Sequence, residues 1–254
     1  MDSSSIKAVF CGVDAHMIRV LGLNGSPRNY GNTYKLLKVA LEMAEELGAE
    51  VKLINLYELN IRDCIGCLAD EQRACRYPCV IDDDMRIVYD EVLRSDGIIF
   101  ATPMYWYSPS AAMKRVIDRL TALENMIVIE GKSWLEGKVA GIIAVGNDSG
   151  EIQLASLMYA TLNTMGFIIP PFALAFFNRE GDVLDDEATL IEAANVGRAV
   201  TLMAGLVKGF NDSWFDPKIK EWLHRVKIKV RNEAEKAMKK VKPERLKLIM
   251  KLLR

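Results

Sequence analysis

"IRVLGLNGSPRNYGNT", residues 18–33, decides the fold. Its first half is an apolar run ending at Asn24, and a glycine- and serine-containing turn follows. From Asn32 onward Leu36, Leu37, Val39, Ala40, Met43, Ala44 and Leu47 recur with a helical period. A strand, a polar turn and an amphipathic helix open a βα unit, and the unit repeats down the chain. Residues 51–56, 97–102 and 139–145 read as further strands, and 168–176 as a weaker fifth, broken by Pro170 and Pro171. Helices are expected at 82–93, 110–123, 151–165 and 186–207. The first of these opens on Asp82, Asp83 and Asp84, charge that a helix N-terminus favours. Strands apolar on both faces, alternating with helices, imply a parallel sheet covered on both sides. A doubly wound sheet of this kind collects ligands at the C-terminal ends of its strands.

The chain has 254 residues, half of them hydrophobic, enough for a sizeable core. A net charge of −1 argues against a general nucleic-acid binder, but it hides an asymmetry. Residues 218–254 hold fourteen Lys/Arg against four Asp/Glu, a net of +10, which leaves −11 for the rest. Within this basic extension, Ile219, Trp222, Leu223, Val226 and Val230 share one helix face, and Lys242-Pro243 is expected to break the helix. At the other end, residues 1–17 form an extension in which 6–14 are apolar enough for an extra strand. The expected organisation is therefore 1–17, a core domain 18–210 and a basic helical extension 211–254. No apolar run reaches the ~18–20 residues of a membrane span, and residues 1–5 lack the features of a signal peptide. A cytoplasmic protein is expected.

Three loops carry the chemistry. After the first strand, Ser26, Asn32 and Thr33 offer donors and Arg28 a charge where a helix N-terminus would meet a phosphate. This loop is neither a G-x-G-x-x-G nor a P-loop, and an ordinary βα turn with a good cap would look similar. After the third strand comes "TPMYWYSPS", residues 102–110, in which Met104, Tyr105, Trp106 and Tyr107 leave the strand between Pro103 and Pro109. Consecutive aromatics at that place are poorly positioned for the core and suit the face of a flat heterocycle. After the fourth strand, "GNDSGE" at 146–151 is again small and polar. One loop for phosphate and two for a flat ring describe a mononucleotide site. His16 and His224 lie outside these loops, and neither they nor any other residue is nominated as a catalytic acid or base.

Taken together, "NGSPRNYGNT", C-x-x-C, "DDDM" and "DGIIFATPMYWYSPSAAMKRVIDR" resemble the NADPH-dependent FMN reductase and iron–sulfur flavoprotein family, over about residues 18–205. The resemblance implies a flavodoxin-like, doubly wound α/β fold with a five-stranded parallel sheet of order 2-1-3-4-5, here followed by the helical extension. It implies non-covalent FMN, with Ser26, Arg28, Asn32 and Thr33 on its phosphate. Pro103, Met104, Tyr105 and Trp106 would line the isoalloxazine, and Gly146, Asn147, Asp148 and Gly150 would close its other edge. Lys114, Asp118 and Arg119 would fix the helix and a subunit contact. A dimer or tetramer is implied, with NAD(P)H as co-substrate and a small-molecule or ferredoxin-like electron partner.

Four of the five cysteines fall in "CIGCLADEQRACRYPC", residues 64–79. Family members that hold a [4Fe–4S] cluster carry C-x2-C-x2-C and a fourth cysteine a few residues later. Cys64, Cys67 and Cys79 fit the first, second and fourth places. Asp70 occupies the third, and Cys75 is present instead. Four thiolates on one loop suit a cubane cluster or zinc. Thiols or cystines without metal stay open, since Gln occurs only at 72 and 153, a scarcity seen in hyperthermophile proteins, which can keep intracellular disulfides. Cys11 is expected to be a buried free thiol. The leading reading is an FMN-dependent NAD(P)H oxidoreductase. An electron carrier without its own NAD(P)H activity and a flavin-binding regulatory protein are the alternatives.

Overall fold

The computed structural model describes residues 17–210, 212–216 and 218–252. The expected N-terminal strand, Cys11 and His16 lie outside the described residues. Five parallel strands form the sheet: β1 (Arg19–Asn24), β2 (Glu50–Asn55), β3 (Gly97–Tyr105), β5 (Val139–Gly146) and β6 (Leu174–Asn178). Their order is β2-β1-β3-β5-β6, and a two-residue strand β4 (Ser108–Pro109) folds back antiparallel onto the end of β3. Apart from β4, this is the expected order. Helices α1 (Asn32–Glu46) and α7 (Glu187–Val207) cover one face, and α3 (Met85–Arg94), α4 (Ala111–Glu124) and α6 (Glu151–Thr164) the other; α2 (Cys67–Asp70) and α5 (Met126–Glu130) are short helices in the connections.

Strand alternation decides which core each residue enters. Ile98 and Phe100 pack with Val88, Val116, Leu120 and Leu154, while Ile99 and Ala101 pack with Leu36, Ala40, Val196 and Val200. On the second face α1 and α7 approach until their backbones nearly touch. A Cβ at Gly197 would sit 1.9 Å from the Ala40 carbonyl oxygen, so no other residue fits there. By length and composition α7 could cross a membrane. Its Ala193, Val196, Val200 and Ala204 are instead buried in this core.

Three boundaries differ from expectation. The fifth strand starts at Leu174, because the prolines leave Ile168 with a single bridge to Val139. Helix α3 begins at Met85, with no acid in its first turn; Asp83 accepts the Met85 N–H and pairs with Arg119, and Asp84 accepts the Asn60 N–H. Pro243 does not break the extension, since α8 (Ile219–Leu252) runs through it. The carbonyl that Pro243 leaves unpaired faces water, because every described residue around it is exposed. The described residues divide into two compact units, the second beginning at Phe215 and consisting mainly of α8.

Candidate functional site

The sheet register lines up three loops at one edge. Asn24 pairs with Ala101, Pro103 with Val145, and Gly146 with Asn178, so the chain leaves β1, β3 and β5 side by side. Two of the loops are also bonded together. The Gly25 N–H donates to the Ala101 carbonyl at 2.8 Å, and the Ser110 hydroxyl donates to the Gly25 carbonyl at 2.6 Å. A Cβ at Gly25 would meet Ala101 O, Ser110 Oγ and Met113 Cβ at 3.0–3.2 Å, which explains the glycine.

In the first loop Ser26 is buried and its hydroxyl accepts the Arg28 N–H at 3.1 Å. The Arg28 side chain is exposed. Gly31 caps α1 without a side-chain bond, which leaves the first-turn N–H groups directed at the loop. Thr33 is buried in that turn. Asn32 faces away: its amide donates to Gly181 O at 2.9 Å and accepts from the Val183 N–H at 3.2 Å. The structure thus bonds the Arg28 backbone to Ser26, buries Thr33 in the first turn of α1, and uses Asn32 to hold the loop that follows β6.

The second loop is a hairpin whose two central residues, Trp106 and Tyr107, have φ of 51° and 62°. A two-residue type I′ hairpin needs positive φ at both positions, which is why Asn-Gly usually fills it. Bulky aromatics there cost on the order of 1–3 kcal/mol each. Trp106 is 93% exposed, so burial does not offset that cost. Opposite the hairpin, Asn147, Asp148 and Ser149 complete a cavity of about 500 Å³, lined also by Met104, Tyr105, Trp106 and Tyr107. Gly150 turns the chain at φ 98°, and a Cβ there would lie 2.4 Å from the Tyr107 ring and 2.7 Å from Met104 Sδ. Pro103 sits inside β3 and Gly146 at the end of β5, both behind the lining. Asn178 steadies the third loop, donating to Asp148 O at 3.3 Å and to Glu151 at 2.8 Å.

Apart from these loops, residues 59–84 form a long excursion after β2 that carries the four cysteines, of which Cys67 opens a short helical turn and the others lie in irregular chain. Cys64 is exposed, Cys67 and Cys79 are half-buried and Cys75 is buried, all four as free thiols. Burial pushes the Cys75 thiol up to about 12, and its neighbours Cys67, Cys64 and Cys79 add to the shift. Among the described residues no three His, Cys, Asp or Glu side chains close on a point as a single metal ion would need.

Arg119, on α4, is 2% exposed and holds this excursion. Its guanidinium pairs with Asp83 at 2.8 and 3.1 Å and donates to the carbonyls of Arg62 and Ile81. Burial alone would raise the Asp83 carboxyl, but the guanidinium and the N–H groups of Arg62 and Met85 hold it below its ordinary value. Within the chain, the buried Arg119 guanidinium is committed to the excursion after β2. Lys114 and Asp118 form an exposed pair one turn apart on α4. Asn125, which ends α4, donates to Gln72 O and Cys75 O, both at 2.7 Å.

Residues 18–180 match the model of the NADPH-dependent FMN reductase family. The chain belongs to that family. It is a flavin-dependent oxidoreductase. An iron–sulfur flavoprotein of Archaeoglobus fulgidus is 32% identical over 184 residues, 72% of this chain and 79% of the relative. The iron–sulfur flavoprotein MJ1083 of Methanocaldococcus jannaschii is 29% identical over 75% of this chain and all of its own. Among solved structures, RosB with bound 8-demethyl-8-formylriboflavin-5'-phosphate shares the fold, with a TM-score of 0.66 at 18% identity over 83% of this chain and 87% of RosB.

The residues present suit a flavin, and the cysteine loop has the donor type of an iron–sulfur cluster. The cavity between the aromatic hairpin and residues 147–149 has the size and the mixed polar and aromatic lining of a ligand site. The cysteine loop supplies four sulfur donors with no disulfide consuming them. Local sequence did not reveal Arg119, Asp83 and Asn125 as the supports of the cysteine loop. A buried arginine among apolar helix neighbours, and a third aspartate more than a dipole needs, were the available signals.

Proposed function

We propose that residues 18–210 bind FMN at the three-loop edge, and that the chain oxidises NAD(P)H and passes electrons to a small acceptor (quinone, flavin or metal) or to a protein. The observation that carries this reading is the strained aromatic hairpin facing the 500 Å³ cavity, since Trp106 at positive φ and nearly full exposure serves no packing purpose. Bound FMN would supply hydride acceptance from NAD(P)H and electron release in single or paired steps. The protein's part is to hold it. The Ser26–Thr33 loop and the uncapped start of α1 would take the phosphate, with Arg28 adding charge. Met104, Tyr105 and Trp106 would cover the ring, with Asn147 and Asp148 at its edge, while Gly146 and Gly150 keep the third loop close against Met104 and Tyr107.

Cys64, Cys67, Cys75 and Cys79 would hold a [4Fe–4S] cluster, Cys75 standing in for the ligand missing at Asp70. The names of the two archaeal relatives and the four free thiols carried on one loop support this. Such a group needs four separated thiolates, not the tight three-ligand cluster of a single ion. A homo-oligomer is supported by Ile152, Leu157 and Tyr159, which are 45–61% exposed on α6. Residues 211–254 would be a basic extension outside the catalytic unit. Steady-state NADPH oxidation with ferricyanide or a quinone, at matched FMN content, tests the proposal. Turnover that falls at least tenfold in Trp106→Gly supports it. Flavin binding with negligible turnover would instead make the protein an electron carrier.

A further inference from the structure

We infer that Arg119 is the positioning residue of the cysteine loop, closing it at both ends and tying it to the helix that also anchors the flavin-side loops. This rests on the proposed cluster at Cys64, Cys67, Cys75 and Cys79. Arg62 stands two residues before Cys64, and Ile81 two residues after Cys79. The guanidinium reaches the carbonyl of the first at 3.0 Å and of the second at 3.3 Å, across 57 and 38 residues of sequence. Asp83 completes the closure by pairing with the same guanidinium while accepting the Arg62 N–H at 2.8 Å. Entry and exit of the loop are therefore bonded to one planar group.

That group has to be a guanidinium. It presents several donors in a fixed fork, whereas an ammonium is a compact point charge that cannot span two carbonyls and a carboxylate. Burying such a pair is a poor way to gain stability, because desolvation offsets the attraction. The pair sits where geometry matters, and Arg119 Nε is buried with no hydrogen-bond partner among the described residues. The cation also lies within the electrostatic reach of Cys79, as does the Tyr89 hydroxyl, which donates to the Arg119 carbonyl at 2.6 Å.

Helix α4 extends the effect. Ser110 at its start donates to Gly25 in the first flavin-side loop, and Asn125 at its end holds the Gln72 and Cys75 carbonyls. Ser110 and Arg119 are nine residues apart, about 14 Å along a helix. One rigid element thus fixes the spacing between the flavin-side loops and the thiols.

The test compares full-length wild type with Arg119→Lys and Asp83→Asn, purified without oxygen. Iron, sulfide and FMN are measured, together with the rate of iodoacetamide alkylation of residues 64–79 and the cluster midpoint potential. Arg119→Lys should keep FMN within about twofold, lose at least half of its iron and alkylate at least tenfold faster. Asp83→Asn is isosteric and serves if the lysine variant fails to fold. It leaves the guanidinium without its counter-charge, so the cluster potential should rise, a shift that a merely structural role would not produce. Unchanged iron, alkylation and potential in the variants would overturn the inference. Wild type lacking iron would overturn the cluster reading instead, and the alkylation ratio would then decide the loop-closing role alone.

Discussion

The flavin-side loops and the cysteine loop are built in opposite ways. The flavin-side loops are short, leave adjacent strands of one sheet and take their places from strand register. Their unusual energy is local, in two aromatic residues held at positive φ. The cysteine loop is long, nearly without regular structure, and takes its shape from a distant helix through Arg119 and Asn125. A site built on register survives loss of a side chain better than one held by a single buried ion pair.

The comparison can be broken most sharply at Arg119. Arg119→Met leaves the Asp83 carboxylate, 2% exposed, without its partner, and should cost about 3–5 kcal/mol in chemical denaturation. Loss of under 1 kcal/mol would show that the loop is held elsewhere. On the flavin side, Gly150→Val places a branched side chain against Tyr107 and Met104 in a left-handed backbone. FMN affinity by fluorescence titration should fall about 100-fold, roughly 2.7 kcal/mol, with iron content unchanged. Trp106→Gly separates strain from function, because it relieves the φ of 51° while removing the ring. Unfolding should become harder by about 1 kcal/mol, while FMN binds about tenfold more weakly; a parallel loss of both would refute stored strain.

Acid offers a gentler probe. The folded Asp83 carboxyl lies below its unfolded value, so its contribution is complete above the ordinary carboxylate range and is lost as pH falls through the folded value. The stability gap between wild type and Asp83→Asn should therefore narrow from about pH 6 to about pH 3. Smallest of all, Lys114→Ala breaks only an exposed pair on α4 and should change stability by less than about 0.5 kcal/mol, with flavin and iron intact.

Legibility in the sequence followed the same division. The strands, the helices and the three loops were readable because hydrophobic period and βα connectivity are local properties, whereas the strand order came from the family resemblance. Asn32 was read as a donor to the phosphate, and its commitment to Gly181 and Val183 was not legible, since that loop lies about 150 residues away. "DDD" at 82–84 read as helix-dipole charge because nothing local distinguishes a first-turn acid from one that meets a buried arginine. Pro243 read as a breaker because proline costs a buried helix a hydrogen bond, whereas in the exposed α8 water replaces it. The four cysteines were visible as a set, and their geometry was not, because it depends on α4.

The most direct test of the account is iron, acid-labile sulfide and FMN per chain in anaerobically purified protein, with the visible spectrum. The account predicts one FMN with about four irons and four sulfides, the iron being lost in Cys75→Ser while FMN stays. A full complement of FMN with no iron or sulfide would contradict it, leaving a simple FMN reductase with a structural cysteine loop.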